Sequence, residues 1–126
     1  MKKQINAANA PEAIGPYCHA TEANGFIFTS GQLGFDPETG KLREGVEAQA
    51  RQSFTNLKTV LESAGSSLDD VLKTTVFVAD LADFGKVNAI YAEFFGPNYP
   101  ARSCVQVAAL PAGGLVEAEV IAVKKA

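Results

Sequence analysis

Hydrophobic residues recur with a helical period in the middle of the chain. In the segment GVEAQARQSFTNLKTVLESAG they return at steps of three and four residues, which is typical of a helix with one buried face. The predicted buried stripe consists of Val46, Ala50, Phe54, Leu57, Leu61 and Ala64. Gly65 can adopt the left-handed conformation that commonly ends a helix. The pattern therefore predicts an amphipathic helix that stops before this glycine.

A strand and a second helix are predicted downstream. β-Branched residues dominate VLKTTVFVADL, which favours a strand, and the Asp80 carboxylate at its end can cap a helix. One side of that helix is predicted to carry Phe84, Val87, Tyr91 and Phe94. The helical pattern ends at Gly96.

The remaining strands are indicated by short apolar runs and turn residues. Asn24-Gly25 suits the positive φ angles of a tight turn and predicts a hairpin of about Tyr17 to Thr21 against Phe26 to Ser30. The segment GQLGFDPETGKL, with a turn signal at Thr39-Gly40, is predicted to be an irregular loop. Further strands are predicted at about Lys3 to Ala7, Arg102 to Ala109 and Val116 to Val123.

The predicted order of elements is β-β-β-α-β-α-β-β. This order favours an α+β fold, a single domain over residues 1–126, with a mainly antiparallel mixed sheet and both helices on one face. The runs TTVFVA and SCVQVAAL are nearly continuous in small or apolar residues, so the second face of the sheet is also expected to be covered. Another copy of the chain is the simplest cover, which predicts a homo-oligomer.

Composition and charge narrow the functional classes. A net charge of -3 and a pI near 5.1, with scattered basic residues, argue against a nucleic-acid partner. No apolar run approaches the ~18 to 20 residues of a membrane helix, and the start MKKQINAANAPEAIGPY is unlike an export signal. We therefore expect a cytoplasmic protein in which Cys18 and Cys104 are reduced.

Histidine, metal and cofactor chemistry have little support in the sequence. His19 is the only histidine, and with two cysteines it does not make a four-ligand zinc site. We interpret it as a half-exposed strand residue. No HExxH, CxxC, GxSxG, GxGxxG or GxxxxGK[ST] motif occurs, so neither a metal nor a nucleotide cofactor is expected.

Arg102 in YPARSCVQV is the strongest candidate for chemistry. Pro100 stiffens the chain just upstream, and two-residue alternation places Arg102 on the strand face of Cys104 and Gln106. The planar guanidinium matches a carboxylate, which could belong to a ligand or to the protein. On the residues alone, a structural salt bridge is favoured over a ligand clamp, because most arginines at strand edges bind no ligand.

Glu117 and Glu119 are the carboxylates considered as partners of that arginine. In VEAEVIAV both fall on the same strand face. Two carboxylates near one arginine exceed what an ion pair requires, so one could bind a cationic side chain while the other holds a water molecule. A solvated strand face explains the pattern equally well.

Taken together, these segments resemble the RidA (YjgF) family of reactive-intermediate imine deaminases. The resemblance runs through NAPEAIGPYCHA, FIFTSGQ, QARQSFTNLKTVLESAG, KTTVFVADLADFGKVNAIYAEFF, YPARSCVQVAALP and VEAEVIAV, nearly the entire chain. Its most specific element is PARSCVQVAALP, whose arginine separates deaminating members from their relatives. The loop AGGLV departs from the charged residues found in many relatives.

The resemblance implies a chorismate-mutase-like homotrimer with three sites at the clefts between subunits. It assigns catalytic roles to Arg102, which would clamp the substrate carboxylate, and to Glu117, which would hold the attacking water. The implied substrate-binding residues are Tyr17, Ser30, Gly31, Asn88, Arg102 and the backbone at Cys104.

The activity that the resemblance implies is hydrolytic deamination of reactive 2-imino acids. Its substrates would be 2-iminobutanoate and 2-iminopropanoate, which form from the enamines released by pyridoxal-phosphate dehydratases, and its products 2-oxo acids and ammonia. The resemblance also leaves open a carboxylate-binding, regulatory or chaperone-like trimer without turnover and, with less support from the acidic composition, an endoribonuclease.

Overall fold

A seven-stranded mixed sheet forms the centre of the structure, a computed structural model that describes residues 1–125. The strands are β1 (Lys3–Ile5), β2 (Ala20–Ala23), β3 (Phe26–Thr29), β4 (Gln32–Leu33), β5 (Val71–Val78), β6 (Ala101–Gln106) and β7 (Val116–Val123). The α-helices are α1 (Val46–Ser63) and α2 (Phe84–Phe95), and short 3-10 helices lie at Leu68–Asp70, Leu81–Asp83 and Pro111–Gly113. The strand order is β1-β2-β3-β7-β5-β6, with β4 also paired to β7. Only β5 and β6 pair in parallel; the other pairs are antiparallel.

Helix α1 forms where the apolar period predicted it. Every residue of the predicted stripe, from Val46 to Ala64, is buried. The chain leaves the helix at Gly65, whose φ is 79°, a left-handed conformation that suits a residue without a Cβ. The predicted first helix is therefore confirmed in its extent and in its buried face.

Helix α2 agrees with the prediction in position but not in every buried residue. The Asp80 carboxylate accepts a hydrogen bond from the Ala82 N–H and so caps the 3-10 turn that precedes the helix. Val87 and Tyr91 are buried as predicted, whereas Phe84 is 37% exposed. Phe95, absent from the predicted stripe, is buried in the core.

The first hairpin turns where Asn24-Gly25 predicted it, with φ angles of 52° and 80°. Its first strand, however, begins at Ala20, not Tyr17. The residues before Ala20 make different contacts: the Cys18 carbonyl accepts a 2.7 Å hydrogen bond from Ser30 Oγ. The His19 carbonyl still accepts a 2.9 Å backbone hydrogen bond from the Ser30 N–H, and beyond it the side-chain contact at Cys18 replaces backbone pairing.

The segment predicted as an irregular loop contains a strand. Residues Gln32 and Leu33 pair with Ala118 and Glu117 of β7, the strand that also pairs with β3. A turn closes the rest of the segment, where Gly40 has a φ of 72°. The prediction missed β4 because its partner lies more than eighty residues away in sequence. β3 and β4 thus pair with successive parts of β7, and residues 30–31 lie between the two strands.

The two faces of the sheet have different environments. Strand residues with buried side chains pack against the helices; they are Thr74, Val76, Val78, Val116, Ala118, Val120 and Ala122. The opposite face carries Phe26, Phe28 and Val105, which are 43%, 47% and 44% exposed in the single chain. The predicted α+β sheet with two helices on one face is confirmed, and its other face is open and partly apolar. No helix within residues 1–125 combines the length and the hydropathy of a membrane span.

Candidate active site

Arg102 lies on the helix-covered face of the sheet, at the start of the edge strand β6. It pairs with Thr74, which is fully buried beneath the helices, and paired residues share a face. Its Nη1 donates a 2.6 Å hydrogen bond to Asn88 Oδ1. The guanidinium carbon lies 4.7 Å from the centre of the Tyr91 ring and 5.4 Å from that of Phe84. Within residues 1–125, no carboxylate forms a salt bridge with Arg102.

A cavity of about 310 Å³ opens beside this arginine. Its lining consists of Asn88, Tyr91, Ala92, Tyr99, Pro100 and Arg102. The cavity therefore contains a permanent cation whose contacts within the chain are a neutral amide and aromatic rings. An anion entering this cavity would meet the uncompensated charge of the guanidinium.

Glu117 lies on the opposite face of the same sheet. On β7 it pairs with Leu33 on one side and with Phe77 on the other. Its neighbours along the strand, Val116 and Ala118, are buried against the helices, so strand alternation directs Glu117 away from them. The alternative in which Glu117 or Glu119 pairs with Arg102 of the same chain is therefore wrong, because the sheet separates them.

The environment of Glu117 favours its protonated form. Burial raises the pKa of the Glu117 carboxyl, and the like charge of Glu119 on the same strand face raises that pKa further. A carboxyl of this kind can accept and return a proton more readily than an ordinary surface glutamate. These are the properties expected of a general acid or base.

A second cavity, of about 350 Å³, brings Glu117 together with three other residues implied by the resemblance. Those residues are Tyr17, Ser30 and Gly31. Ser30 and Gly31 occupy the gap between β3 and β4, beside the carboxylate. A Cβ at Gly31 would lie 2.8 Å from Glu117 Cδ and Oε2, so only glycine allows this approach. The Ser30 hydroxyl donates its proton to the Cys18 carbonyl, which leaves its oxygen free to accept.

His19 differs from the half-exposed strand residue that was predicted. It is only 4% exposed and immediately precedes β2. Its Nδ1 accepts a 2.9 Å hydrogen bond from the Ala7 N–H, so Nε2 must carry the proton that it donates to the Pro11 carbonyl at 2.7 Å. The imidazole therefore connects Ala7 and Pro11, which precede Tyr17 in the chain, to the start of β2, and has a structural role.

The Cys104 side chain lines neither of these two cavities. It pairs with the buried Val76, so it shares the helix-covered face with Arg102 as predicted. Burial raises the pKa of the Cys104 thiol, and the positive charge of Arg102 opposes part of that increase. Cys18 and Cys104 are both free thiols.

The candidate residues thus form two groups within one chain. Tyr17, Ser30, Gly31 and Glu117 line one cavity, whereas Asn88 and Arg102 line the other. The two groups lie on opposite faces of the sheet. No three His, Cys, Asp or Glu side chains of residues 1–125 approach each other closely enough to hold a metal ion.

The sequence interpretation missed the aromatic contacts of Arg102. Phe84, Asn88 and Tyr91 are spaced by four and three residues, which places them on one face of α2. That spacing is visible in the sequence, but it placed Phe84 and Tyr91 on one side of the predicted helix without linking that side to Arg102. Also missed was the apolar wall of the Glu117 cavity, formed by Pro11, Ile14, Leu33, Phe35 and Pro111.

Comparison with known families assigns the chain to a class. Residues 7–124 match the model of the family described as Endoribonuclease L-PSP. The chain belongs to this family, the RidA (YjgF) family that its motifs resemble.

Particular relatives are similar over their full lengths. The chain is 50% identical over 128 residues to the 2-iminobutanoate/2-iminopropanoate deaminase of Salmonella typhimurium, covering 99% of this chain and 100% of the relative. The structure of RidA from the Antarctic bacterium Psychrobacter superposes with a TM-score of 0.94 at 49% identity, over 96% of this chain and 98% of that one. The structure of Escherichia coli TdcF with bound serine gives 0.93 at 44% identity, over 98% and 99%.

Proposed function

We propose that this protein is a 2-imino acid deaminase that hydrolyses 2-iminobutanoate and 2-iminopropanoate to 2-oxo acids and ammonia. The observation that carries the proposal is the half-buried cation of Arg102, whose contacts within the chain are neutral groups. Such a cation is ready to bind the carboxylate that every 2-imino acid carries. The full-length similarity to a deaminase of this specificity supports the same substrate class.

Arg102 is the proposed carboxylate clamp. Nη1 donates to Asn88, and the other guanidinium N–H groups remain available for a bidentate contact with the substrate. Asn88 fixes the arginine without neutralising it, because an amide carries no charge. The TdcF structure contains bound serine, an amino acid with the same carboxylate group, which supports this kind of ligand.

Glu117 is the proposed general base and acid. It accepts a proton from water as the water oxygen bonds to the imine carbon, and a tetrahedral intermediate with hydroxyl and amino groups forms. The carboxyl then returns the proton to nitrogen; the C–N bond breaks, ammonia leaves, and loss of the hydroxyl proton gives the 2-oxo acid. A protonated imine carbon is already electrophilic, so this route is complete without a metal ion or cofactor.

The remaining substrate contacts are proposed on the side of Glu117. The Ser30 hydroxyl oxygen can accept a hydrogen bond from the imine nitrogen, since its proton is used by the Cys18 carbonyl. Gly31 gives the substrate access to the carboxylate, and Tyr17, which is 45% exposed, covers the rim. The backbone at Cys104 is proposed to line the site beside Arg102.

We propose further that complete sites form between copies of the chain in a homotrimer. Arg102 and Glu117 lie on opposite faces of one sheet, so one chain does not bring both to a single substrate. A neighbouring copy could supply the missing group. The open face with Phe26, Phe28 and Val105 offers the apolar surface that such an assembly would bury. The free thiols support the cytoplasm as the place of action.

A carboxylate-binding protein without turnover is the second candidate, and serine bound to TdcF is the observation that favours it. Such a protein needs Arg102 but tolerates Glu117→Gln. Ribonuclease activity has less support, because the chain carries a net charge of -3 and its single histidine is buried.

A coupled assay tests the proposal. A threonine dehydratase generates 2-iminobutanoate in the presence of semicarbazide, which traps the imine that survives. We expect the protein to divert imine to 2-oxobutanoate, and we expect Arg102→Ala and Glu117→Gln each to abolish most of this effect. Loss of one charge-assisted hydrogen bond alone corresponds to about a ten- to hundred-and-fifty-fold decrease. Arg51→Ala, which removes an exposed salt-bridged arginine, is the matched control and should retain full activity.

The outcomes separate the candidates. The assay is repeated with several amino acids as precursors of the imine. If the protein does not lower the amount of semicarbazide-trapped imine with any of them, the deaminase proposal is wrong. If Glu117→Gln keeps full activity, Glu117 is not the base. Co-expression of Arg102→Ala with Glu117→Gln tests the shared site, because mixed assemblies contain clefts with one intact Arg102 and one intact Glu117. Recovered activity is expected, and its absence would contradict a site built from two chains.

A further inference from the structure

The guanidinium of Arg102 has few polar restraints. Its one hydrogen bond within residues 1–125 is the contact of Nη1 with Asn88. An arginine side chain has several rotatable bonds, and a single hydrogen bond at one nitrogen leaves the plane of the fork free to turn. A bidentate contact with a carboxylate needs that plane to be fixed.

Two aromatic rings complete the restraint. The Tyr91 and Phe84 centroids lie 4.7 Å and 5.4 Å from the guanidinium carbon, both inside the ~6 Å range of cation–π attraction. Together with Asn88 they occupy one face of α2. One helix face therefore supplies all three neutral contacts of the cation, and a movement of the helix would move all three together.

Tyr91 is itself held firmly in place. It is 5% exposed, and its hydroxyl forms a 2.7 Å hydrogen bond with the buried Thr74 hydroxyl. Phe54 packs edge-on against it at 5.7 Å, and Phe95 stacks on it at 4.4 Å. A ring with so many contacts has little freedom, so it can serve as a rigid surface for the arginine.

We propose that Tyr91 and Phe84 are positioning residues, whose rings fix the plane of the Arg102 guanidinium for the substrate carboxylate. The inference rests on the proposed function, in which Arg102 binds that carboxylate. Aromatic rings attract the cation without adding a negative charge, so the full charge remains for the substrate. A carboxylate in their place would hold the arginine but compete with the ligand.

The experiment measures binding of 2-oxobutanoate, a stable carboxylate, by calorimetry, and kcat/KM in the coupled assay. Phe84→Leu and Tyr91→Leu remove one ring each and are expected to weaken both quantities by about two- to thirty-fold, the range that corresponds to one cation–π contact. Phe84→Tyr and Tyr91→Phe keep the rings and should retain binding. Phe94→Leu is the matched control, because the Phe94 ring lies on the same helix but has its cation–π contact with Arg51 and none with Arg102.

Double variants distinguish positioning from a general effect on the fold. In an Arg102→Ala background, Phe84→Leu and Tyr91→Leu should cause no further loss of residual kcat/KM, since the group through which they act is gone. Equal losses with and without Arg102 would overturn the inference, as would unchanged binding in both leucine variants. If Tyr91→Leu fails to fold, Phe84→Leu decides, because that ring is 37% exposed and contributes less to the core.

Failure of the inference is distinct from failure of the proposed function. If Arg102→Ala binds 2-oxobutanoate and turns over imine like the native protein, the clamp itself is wrong and the positioning role falls with it. If Arg102→Ala loses binding while both leucine variants retain it, the clamp stands and only the positioning role is refuted.

Discussion

Gly31→Ala tests the geometry around Glu117 directly. A methyl group at this position would lie 2.8 Å from Glu117 Cδ and Oε2, whereas carbon atoms in contact prefer about 3.5 to 4.0 Å. The carboxylate must therefore retreat by about 0.7 Å or more. The obstacle is the far end of a flexible side chain, and Gly31 does not have a positive φ, so the fold itself should accept the alanine.

The Gly31→Ala variant is expected to fold normally but to have a lower kcat. A misplacement of about 1 Å can reduce a rate ~10²-fold, so we expect a loss in kcat of up to that size in the coupled 2-iminobutanoate assay. The melting temperature should stay the same or rise slightly, because alanine restricts the unfolded chain more than glycine does. The alanine keeps its backbone N–H, so contacts made by that group are unchanged.

Two comparisons make the result interpretable. Gly85→Ala is the matched control, because a Cβ there meets no atom within 4 Å. In a Glu117→Gln background, Gly31→Ala should have little further effect, since the group that it displaces no longer accepts a proton. Native kcat in Gly31→Ala would refute the reasoning that Glu117 must occupy its present position.

Three further predictions concern charge and burial. Glu119→Gln removes the like charge that raises the pKa of Glu117, so the acidic limb of the pH profile of kcat/KM should move to lower pH, because Glu117 must be ionised to act as base. Glu117→Gln should raise the melting temperature more near neutral pH than in mild acid. A carboxyl with a raised pKa in the folded state stabilises the protein below its unfolded pKa and loses this contribution as the pH rises through the folded value. His19→Ala should cost about 1 to 3 kcal/mol in urea unfolding for each buried group left unpaired, the Ala7 N–H and the Pro11 carbonyl.

Each of these predictions has a contradicting result. An acidic limb that is identical in Glu119→Gln would show that the two carboxylates do not interact in the assembled protein. A Glu117→Gln variant that is less stable than the native chain near neutral pH would show that the carboxylate forms favourable contacts there. A His19→Ala variant with native stability would mean that water replaces both hydrogen bonds.

Elements set by local sequence were predictable. The apolar period predicted α1. The segment VEAEVIAV predicted β7 with the bounds that the structure has, Val116–Val123. The turn at Asn24-Gly25 also follows from local backbone preferences. In each case a few neighbouring residues determine the conformation, so a single sequence contains enough information.

Features set by distant contacts were not predictable in the same way. Strand β4 exists because Gln32 and Leu33 reach β7, and His19 is buried because Ala7 and Pro11 close around it. Alternation showed which residues share a face within one strand. It did not show which of those faces meets the helices, and this depends on the register between strands.

The same limit applies to the candidate site. Arg102 and Glu117 could be selected from the sequence, the former by its place after Pro100 and the latter through the family resemblance. Their placement on opposite faces follows from the pairing of β5 with both β6 and β7. The aromatic surface beneath Arg102 likewise depends on where α2 packs, although its spacing of four and three residues was present in the sequence.

The separation of Arg102 and Glu117 by the sheet gives the proposed enzyme a dependence on its own concentration. The specific activity of an enzyme with a self-contained site is unchanged by dilution. Here each proposed site exists only while two copies remain associated, so the fraction of complete sites follows the law of mass action. Dilution below the dissociation constant of the assembly is therefore expected to lower the specific activity. If the site is shared as proposed, a newly made chain is inactive until it assembles, because the sheet separates its own Arg102 from its own Glu117.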